Sequence, residues 1–107
     1  MGDHRDSIAH FESMARVLRD LRSDGIDLSE HQFHPHAFGS FVAVLGRGHE
    51  YVKFSWDGRE FVLSIYTCTV PDSSATTRWT HDADVSLPNG DGLYEEIASE
   101  AVQVLAI

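Results

Sequence analysis

Apolar residues recur at intervals of three and four in the first part of the chain. The positions that share this spacing are Ile8, Phe11, Met14 or Ala15, Leu18 and Leu21. Such a stripe is typical of an amphipathic helix, which we predict over residues 4–24. Asp3 or Asp6 can accept the unpaired N–H groups of the first turn, and Gly25 can adopt the left-handed conformation that ends a helix.

The pattern changes from helical spacing to strand alternation in the middle of the chain. Asp27 to Ala37 has no clear period, so we predict a loop there. Phe41 to Leu45 is predicted to be a first strand, followed by a turn at Gly46 to His49. The next two strands are predicted at Glu50 to Trp56 and Arg59 to Val70, on either side of Asp57-Gly58.

Asp57-Gly58 is the strongest hairpin signal of the sequence, because a type I′ turn requires positive φ at its central residues and Gly adopts it without a Cβ clash. A two-residue turn here fixes the pairing of the two strands. It would pair Trp56 with Arg59, Phe54 with Phe61 and Val52 with Leu63. The large apolar residues would then share one face of the sheet, and Tyr51 and Tyr66 would lie on the other.

A fourth strand and a second helix are predicted in the last third of the chain. Arg78 to Leu87 alternates, which places His81 on the side of Ala83 and points Asp82 and Asp84 together to the other side. The terminal helix is defined by Leu93, Ile97, Ala101, Val104 and Leu105. We therefore expect a single α+β domain over residues 1–107, an N-terminal helix, a four-stranded antiparallel meander and a C-terminal helix, with both helices on one sheet face.

The net negative charge of the chain argues against some classes of binding partner. The 107 residues include 17 Asp and Glu against 8 Lys and Arg, a formal net charge of −9. This field repels phosphate backbones and acidic membranes, so we expect neither nucleic acid nor membrane as a direct partner. A lone Cys68, predicted to pack rather than react, and an N-terminus unlike a signal peptide predict a cytoplasmic location.

Histidines are the main candidates for chemistry. His31, His34 and His36 lie within six residues and could converge on a transition metal, but Pro35 stiffens the segment as extended chain, so we predict no metal site and no cofactor. His81 could act as a general base only beside an orienting carboxylate, which no spacing predicts. Nucleophile elbows, phosphate-binding glycine loops and paired cysteines are absent from the sequence, so no catalytic residue is assigned and no enzyme is predicted.

Acidic residues dominate the chain after Arg78, where no Lys or Arg follows. The predicted partner-binding residues are Asp82, Asp84, Asp91, Glu95, Glu96 and Glu100, together with Tyr51 and Tyr66 on the less covered sheet face. Carboxylates of this kind can be a solvated surface or a docking site for a basic protein. In size and charge the chain resembles the immunity proteins that neutralise bacterial toxins.

That resemblance implies an inhibitor that occludes a basic, nuclease-like toxin or effector, because a cleft that binds phosphate is positive and attracts carboxylates. Two alternatives stay open at this point. A secretion-type chaperone or a homodimeric binding module would use the apolar face that carries Tyr51 and Tyr66. A metal-binding enzyme would depend on the histidines, including His49 and His81.

Overall fold

The computed structural model of the protein describes residues 3–69 and 78–105, with side chains from residue 7 onward. The elements are helix α1 (Asp3–Arg22), strands β1 (Asp27–His34), β2 (Ser40–Arg47), β3 (Glu50–Asp57), β4 (Val62–Thr69) and β5 (Thr80–Ser86), a 3₁₀ turn (Pro88–Gly90) and helix α2 (Leu93–Leu105). The side chains of the predicted caps Asp3 and Asp6, and the predicted strand end at Val70, lie outside the described residues. Within the described ranges, neither helix is long and apolar enough to cross a membrane.

The strands form one antiparallel sheet in the order β1-β2-β3-β4-β5. The α+β class with an antiparallel meander is confirmed, but the predicted number of four strands is wrong. The additional strand is β1, which falls in the segment predicted to be a loop. Because β1 is an edge strand and most of its residues are exposed, it lacks the apolar alternation by which a buried strand is recognised.

One hydrophobic cluster joins the strands to both helices. Its most buried strand residues, with at most 2% exposure, are Phe41, Ala43 and Leu45 of β2, Val52 and Phe54 of β3, and Leu63 and Ile65 of β4. The helices contribute Met14, Val17 and Leu21 from α1 and Leu93, Ile97, Ala101 and Leu105 from α2. These strand residues alternate along each strand, so they define a core face of the sheet. We call the opposite side, with Val42, Tyr51, Lys53, Ser64 and Tyr66, the outer face.

The predicted buried stripe of α1 is wrong in its first half. Ile8 and Phe11 are 59% and 52% exposed, whereas His10 is buried at 3% exposure. The buried positions are His10, Met14, Val17 and Leu21, which have the same helical spacing on a face rotated from the predicted one. A histidine therefore fills a position that the sequence pattern assigns to an apolar residue. The predicted left-handed conformation of Gly25 is confirmed, with a φ of 76°, although the helix ends at Arg22 rather than at residue 24.

The predicted type I′ turn at Asp57-Gly58 is wrong. The loop spans residues 58–61, and its left-handed residue is Phe61, with a φ of 57°, rather than Gly58. Asp57 organises this loop, because its Oδ1 accepts the N–H groups of Arg59 and Glu60 at 3.0 and 3.1 Å. Its backbone carbonyl also accepts the Phe61 N–H at 2.8 Å. Side-chain hydrogen bonds of Asp therefore stabilise a longer loop than the dipeptide alone suggests.

The longer loop shifts the β4 partner of each β3 residue by four positions. Trp56 pairs with Leu63 and Phe54 with Ile65, in place of the predicted Arg59 and Phe61. An even shift leaves the side chains of the paired strand residues on their predicted faces, whereas a shift of one residue would reverse them. The prediction that Phe54, Leu63 and Ile65 share the core face is therefore confirmed, although the predicted pairing is wrong.

A bulge between β4 and β5 overturns the predicted faces of β5. Ile65 pairs with Ala83, but the next pair is Tyr66 with His81, which leaves Asp82 unpaired. His81 consequently lies on the outer face beside Tyr66 and not on the side of Ala83. The strict alternation assumed from the sequence does not survive an extra residue in one strand.

Gly58 is required by a close backbone approach. A Cβ at this position would lie 1.9 Å from the carbonyl oxygen of Phe38, and the Gly58 N–H already donates to Ser40 Oγ at 2.9 Å. Phe38 is itself in the left-handed region with a φ of 59°. The loops that precede β2 and β4 are thus packed directly against each other through this glycine.

We predict that Gly58→Val lowers the free energy of unfolding by about 1 kcal/mol or more, because the new side chain overlaps backbone that must move. Chemical denaturation of purified variants measures this change. Glu60→Val is the control, since it introduces the same side chain at an exposed position of the same loop. A Gly58→Ala variant as stable as the wild type would contradict the close approach.

Candidate functional site

Three of the predicted acidic residues come together beside α2. Glu96 and Glu100 are half-buried and lie one helical turn apart. The pKa of Glu100 is raised by partial burial, then by the charge of Glu96 and a hydrogen bond to it, and then by the charge of Asp82. We call Asp82, Glu96 and Glu100 the carboxylate cluster. Carboxylates at this spacing repel each other, so the charged cluster opposes folding.

The other predicted acidic residues do not share these surroundings. Asp91 and Glu95 are exposed near the start of α2. Asp84 lies on the outer face, where its Oδ1 is 2.9 Å from His81 Nε2. Hydrogen bonds from His81 and then Ser64 lower the pKa of Asp84. The prediction that Asp82 and Asp84 project together is therefore wrong, because the bulge at Asp82 separates the environments of the two carboxylates.

The two predicted tyrosines share the outer face. Tyr51 pairs with Cys68, which is buried as predicted, and its ring covers Gly46, where a Cβ would lie 2.6 Å from Tyr51 Cε1. Tyr66 pairs with Lys53 and stands with its ring centroid 5.2 Å from that of His81. The outer face thus presents aromatic rings with polar and charged groups between them.

A polar cluster that the apolar pattern did not predict lies in the core. His10 Nδ1 lies 2.7 Å from Tyr94 Oη, and His10 Nε2 lies 2.9 Å from His31 Nε2. The His10 ring stacks on Phe33 at a centroid distance of 4.2 Å and also contacts Phe41 at 4.5 Å. The cluster therefore links α1, β1, β2 and α2 through one imidazole.

Two proton assignments satisfy this cluster. Either Tyr94 donates to His10 Nδ1 and His10 Nε2 donates to His31, or His31 donates to His10 Nε2 and His10 Nδ1 donates to Tyr94. Both leave His10 neutral, whereas a charged His10 could donate to both partners but would carry a buried charge. Burial, and then the charge of His31, lower the pKa of His10 to about 4. Burial raises the pKa of Tyr94 to about 12, so both groups are uncharged at neutral pH.

The predicted trio of histidines does not converge. His31 contacts His10 on the core side of β1, whereas His34 and His36 are exposed. Within residues 3–69 and 78–105, no group of three or more His, Cys, Asp or Glu side chains is arranged to hold a metal ion. A signal for the His10 cluster was present in the sequence: His10 lies four residues before Met14, and His31 alternates with Phe33.

We predict that the protein loses stability as the pH falls from 6.5 towards 4. In the unfolded chain His10 is protonated near pH 6.5, whereas in the folded chain its pKa is about 4. The contribution of neutral His10 to the free energy of unfolding is therefore fully present above pH 6.5. Its loss reaches up to about 3 kcal/mol below pH 4. Urea denaturation at several pH values measures it.

The matched variant is His10→Gln, which keeps a donor and an acceptor but does not titrate. Its free energy of unfolding should fall less steeply than that of the wild type over the same pH interval. Equal slopes for the two proteins would show that His10 does not titrate as the structure requires.

Comparison with known proteins gives no family assignment. The chain matches no protein-family model, no curated protein and no solved structure. Its function must therefore be inferred from the carboxylate cluster, the outer face and the buried histidine described above.

Proposed function

We propose that the protein is an immunity-type inhibitor, a small acidic protein that occludes the basic surface of a nuclease-like toxin or effector. The observation that carries this proposal is the carboxylate cluster, in which the pKa of Glu100 is raised by partial burial, then by Glu96 and then by the charge of Asp82. The sequence places no Lys or Arg after Arg78, so the chain supplies no cation from this region.

The negative charges of the carboxylate cluster destabilise the free protein, but they would stabilise a complex with a basic partner. Each negative charge near Glu100 disfavours its ionised form, so an isolated domain selected only for stability would gain by replacing one of them. Lysine or arginine side chains of a partner would convert this repulsion into attraction. The net charge of −9 would also accelerate encounter with a positive surface.

The remaining parts of the proposal follow from the same surfaces. We infer that both helices cover the core face of the sheet, which leaves the carboxylates of α2 and the outer face for contact. The proposal includes a cytoplasmic location and a role in binding rather than catalysis. It requires a protein partner, without direct contact to nucleic acid or membrane.

A second candidate function is a homodimeric module or a secretion-type chaperone. The observation that favours it is the pair of exposed apolar residues on α1, Ile8 and Phe11. Exposed apolar surface of this kind can bind a second copy or an unfolded client. Sedimentation of the wild type and of an Ile8→Ser/Phe11→Ser variant tests the homodimer. A homodimer that uses this pair would sediment as a dimer only in the wild type, whereas an inhibitor of a foreign partner would sediment as a monomer in both proteins.

We predict that Glu100→Gln raises the free energy of unfolding at pH 7 by about 0.2–0.5 kcal/mol, since the raised pKa shows that the ionised carboxylate opposes folding. Glu12→Gln, on the exposed side of α1, serves as the control. A Glu100→Gln variant less stable than Glu12→Gln would show that the carboxylate cluster is not under repulsion.

The functional test reverses the charge of the cluster. The partner is first recovered by affinity purification from the native host, and association is then measured at low and moderate salt. We predict that Asp82→Lys/Glu100→Lys slows association at low salt by about tenfold or more and weakens its salt dependence, because long-range attraction is lost. The folded state is checked by circular dichroism.

A control with the same total charge is Glu12→Lys/Glu60→Lys. Both residues are exposed, and they lie in α1 and in the loop before β4, outside the carboxylate cluster. It should bind nearly as fast as the wild type. Equal slowing in both variants would mean that net charge alone attracts the partner, and unchanged association of the cluster variant would remove the cluster from the interface.

A further inference from the structure

Lys53 is the only lysine of the chain, and it lies on the outer face in the middle of the sheet. Its Nζ is 4.8 Å from the ring centroid of Tyr66 and 4.8 Å from that of Trp79. Both rings are half-buried, so solvent and other molecules reach them. The ammonium of Lys53 is therefore shared by two aromatic rings.

Two rings within this distance form a site for an organic cation. The face of an aromatic ring is negative, and a cation within about 6 Å of the ring centroid is attracted to it. In the described structure the site already contains a cation, which belongs to the protein itself. The contact of Lys53 indicates that the two rings accommodate a cation.

The surroundings of the two rings also favour positive charge. His81 lies against Tyr66, and the carboxylate of Asp84 is 2.9 Å from the His81 ring nitrogen. The hydrogen bond from His81 keeps the pKa of Asp84 low, so this carboxylate is ionised at neutral pH. A cation that reaches the rings thus meets a negative charge on the same face.

We propose that Tyr66 and Trp79 form a recognition site for an arginine or lysine side chain of a basic protein partner, and that Lys53 fills this site until the partner displaces it. Arginine is the better competitor, because a planar guanidinium stacks on aromatic rings and is more weakly hydrated than an ammonium. Release of Lys53 restores the freedom of its long side chain, which offsets part of the lost contact. Only the identity of the partner rests on the proposed inhibitor function.

The site can be tested without the natural partner. Nα-acetyl-arginine methylamide and Nα-acetyl-lysine methylamide are titrated at constant ionic strength into wild type and Lys53→Met, and the indole N–H resonance of Trp79 is followed by NMR. Trp56 is buried and provides an internal reference. Nα-acetyl-norleucine methylamide is the neutral control, and Lys53→Gln is used if the Met variant loses the resonance dispersion of a folded protein.

We expect a saturable shift of Trp79 in the Lys53 variant, with arginine binding about tenfold more tightly than to the wild type, and a much weaker affinity after Tyr66→Leu is added, which removes one ring of the site but keeps the Trp79 resonance. Absence of a saturable shift in the variant, equal affinity in variant and wild type, or an equal response to the norleucine compound would each overturn the proposal. These outcomes concern only the outer face, so they do not decide the test of the carboxylate cluster.

Discussion

One cluster of buried side chains, to which alternate strand residues and both helices contribute, is the interaction on which the rest of the structure depends. Phe54, Leu63 and Ile97 are fully buried in this cluster, and burial of each such side chain contributes about 2 kcal/mol. Because side chains of a strand alternate between two faces, fixing one face in the core also fixes what the other face presents. Lys53 and Tyr66 lie on the outer face for this reason, so their orientation is set by a core that they do not enter.

The sequence was sufficient where burial dominates and insufficient where hydrogen bonds decide. Helix α2 and the core side of β3 could be predicted, because apolar spacing alone determines them. The pairing of β3 with β4 could not, because Asp57 stabilises its loop through side-chain hydrogen bonds that a two-residue turn does not contain. Strand β1 and the rotation of α1 were missed for a related reason, since the shared contact of His10 with His31 is polar and has no hydrophobic signature.

The candidate sites depend on one extra residue in β5. Without the bulge, His81 would face the core side with Ala83 and could not lie against Tyr66. The bulge places His81 beside Tyr66 and leaves Asp82 near enough to α2 for its charge to act on Glu100. The sequence alone shows that this part of the chain is acidic. The grouping of its carboxylates required the three-dimensional structure, because bulges carry no distinct signature in a single sequence.

The two proposed contact surfaces meet at the edge of the sheet. The carboxylate cluster includes Asp82, and the aromatic site borders on Asp84 through His81, so both reach β5, which is an edge strand. A bulge and exposed charges discourage the addition of another strand at such an edge. Recognition there would therefore use side chains. Long-range attraction to the carboxylates brings many basic proteins close, whereas the rings beside Lys53 accept a cation only at short range and in a suitable orientation. A partner that contacts the β5 edge would meet both requirements at once, and this combination would separate a specific partner from a protein that is merely basic.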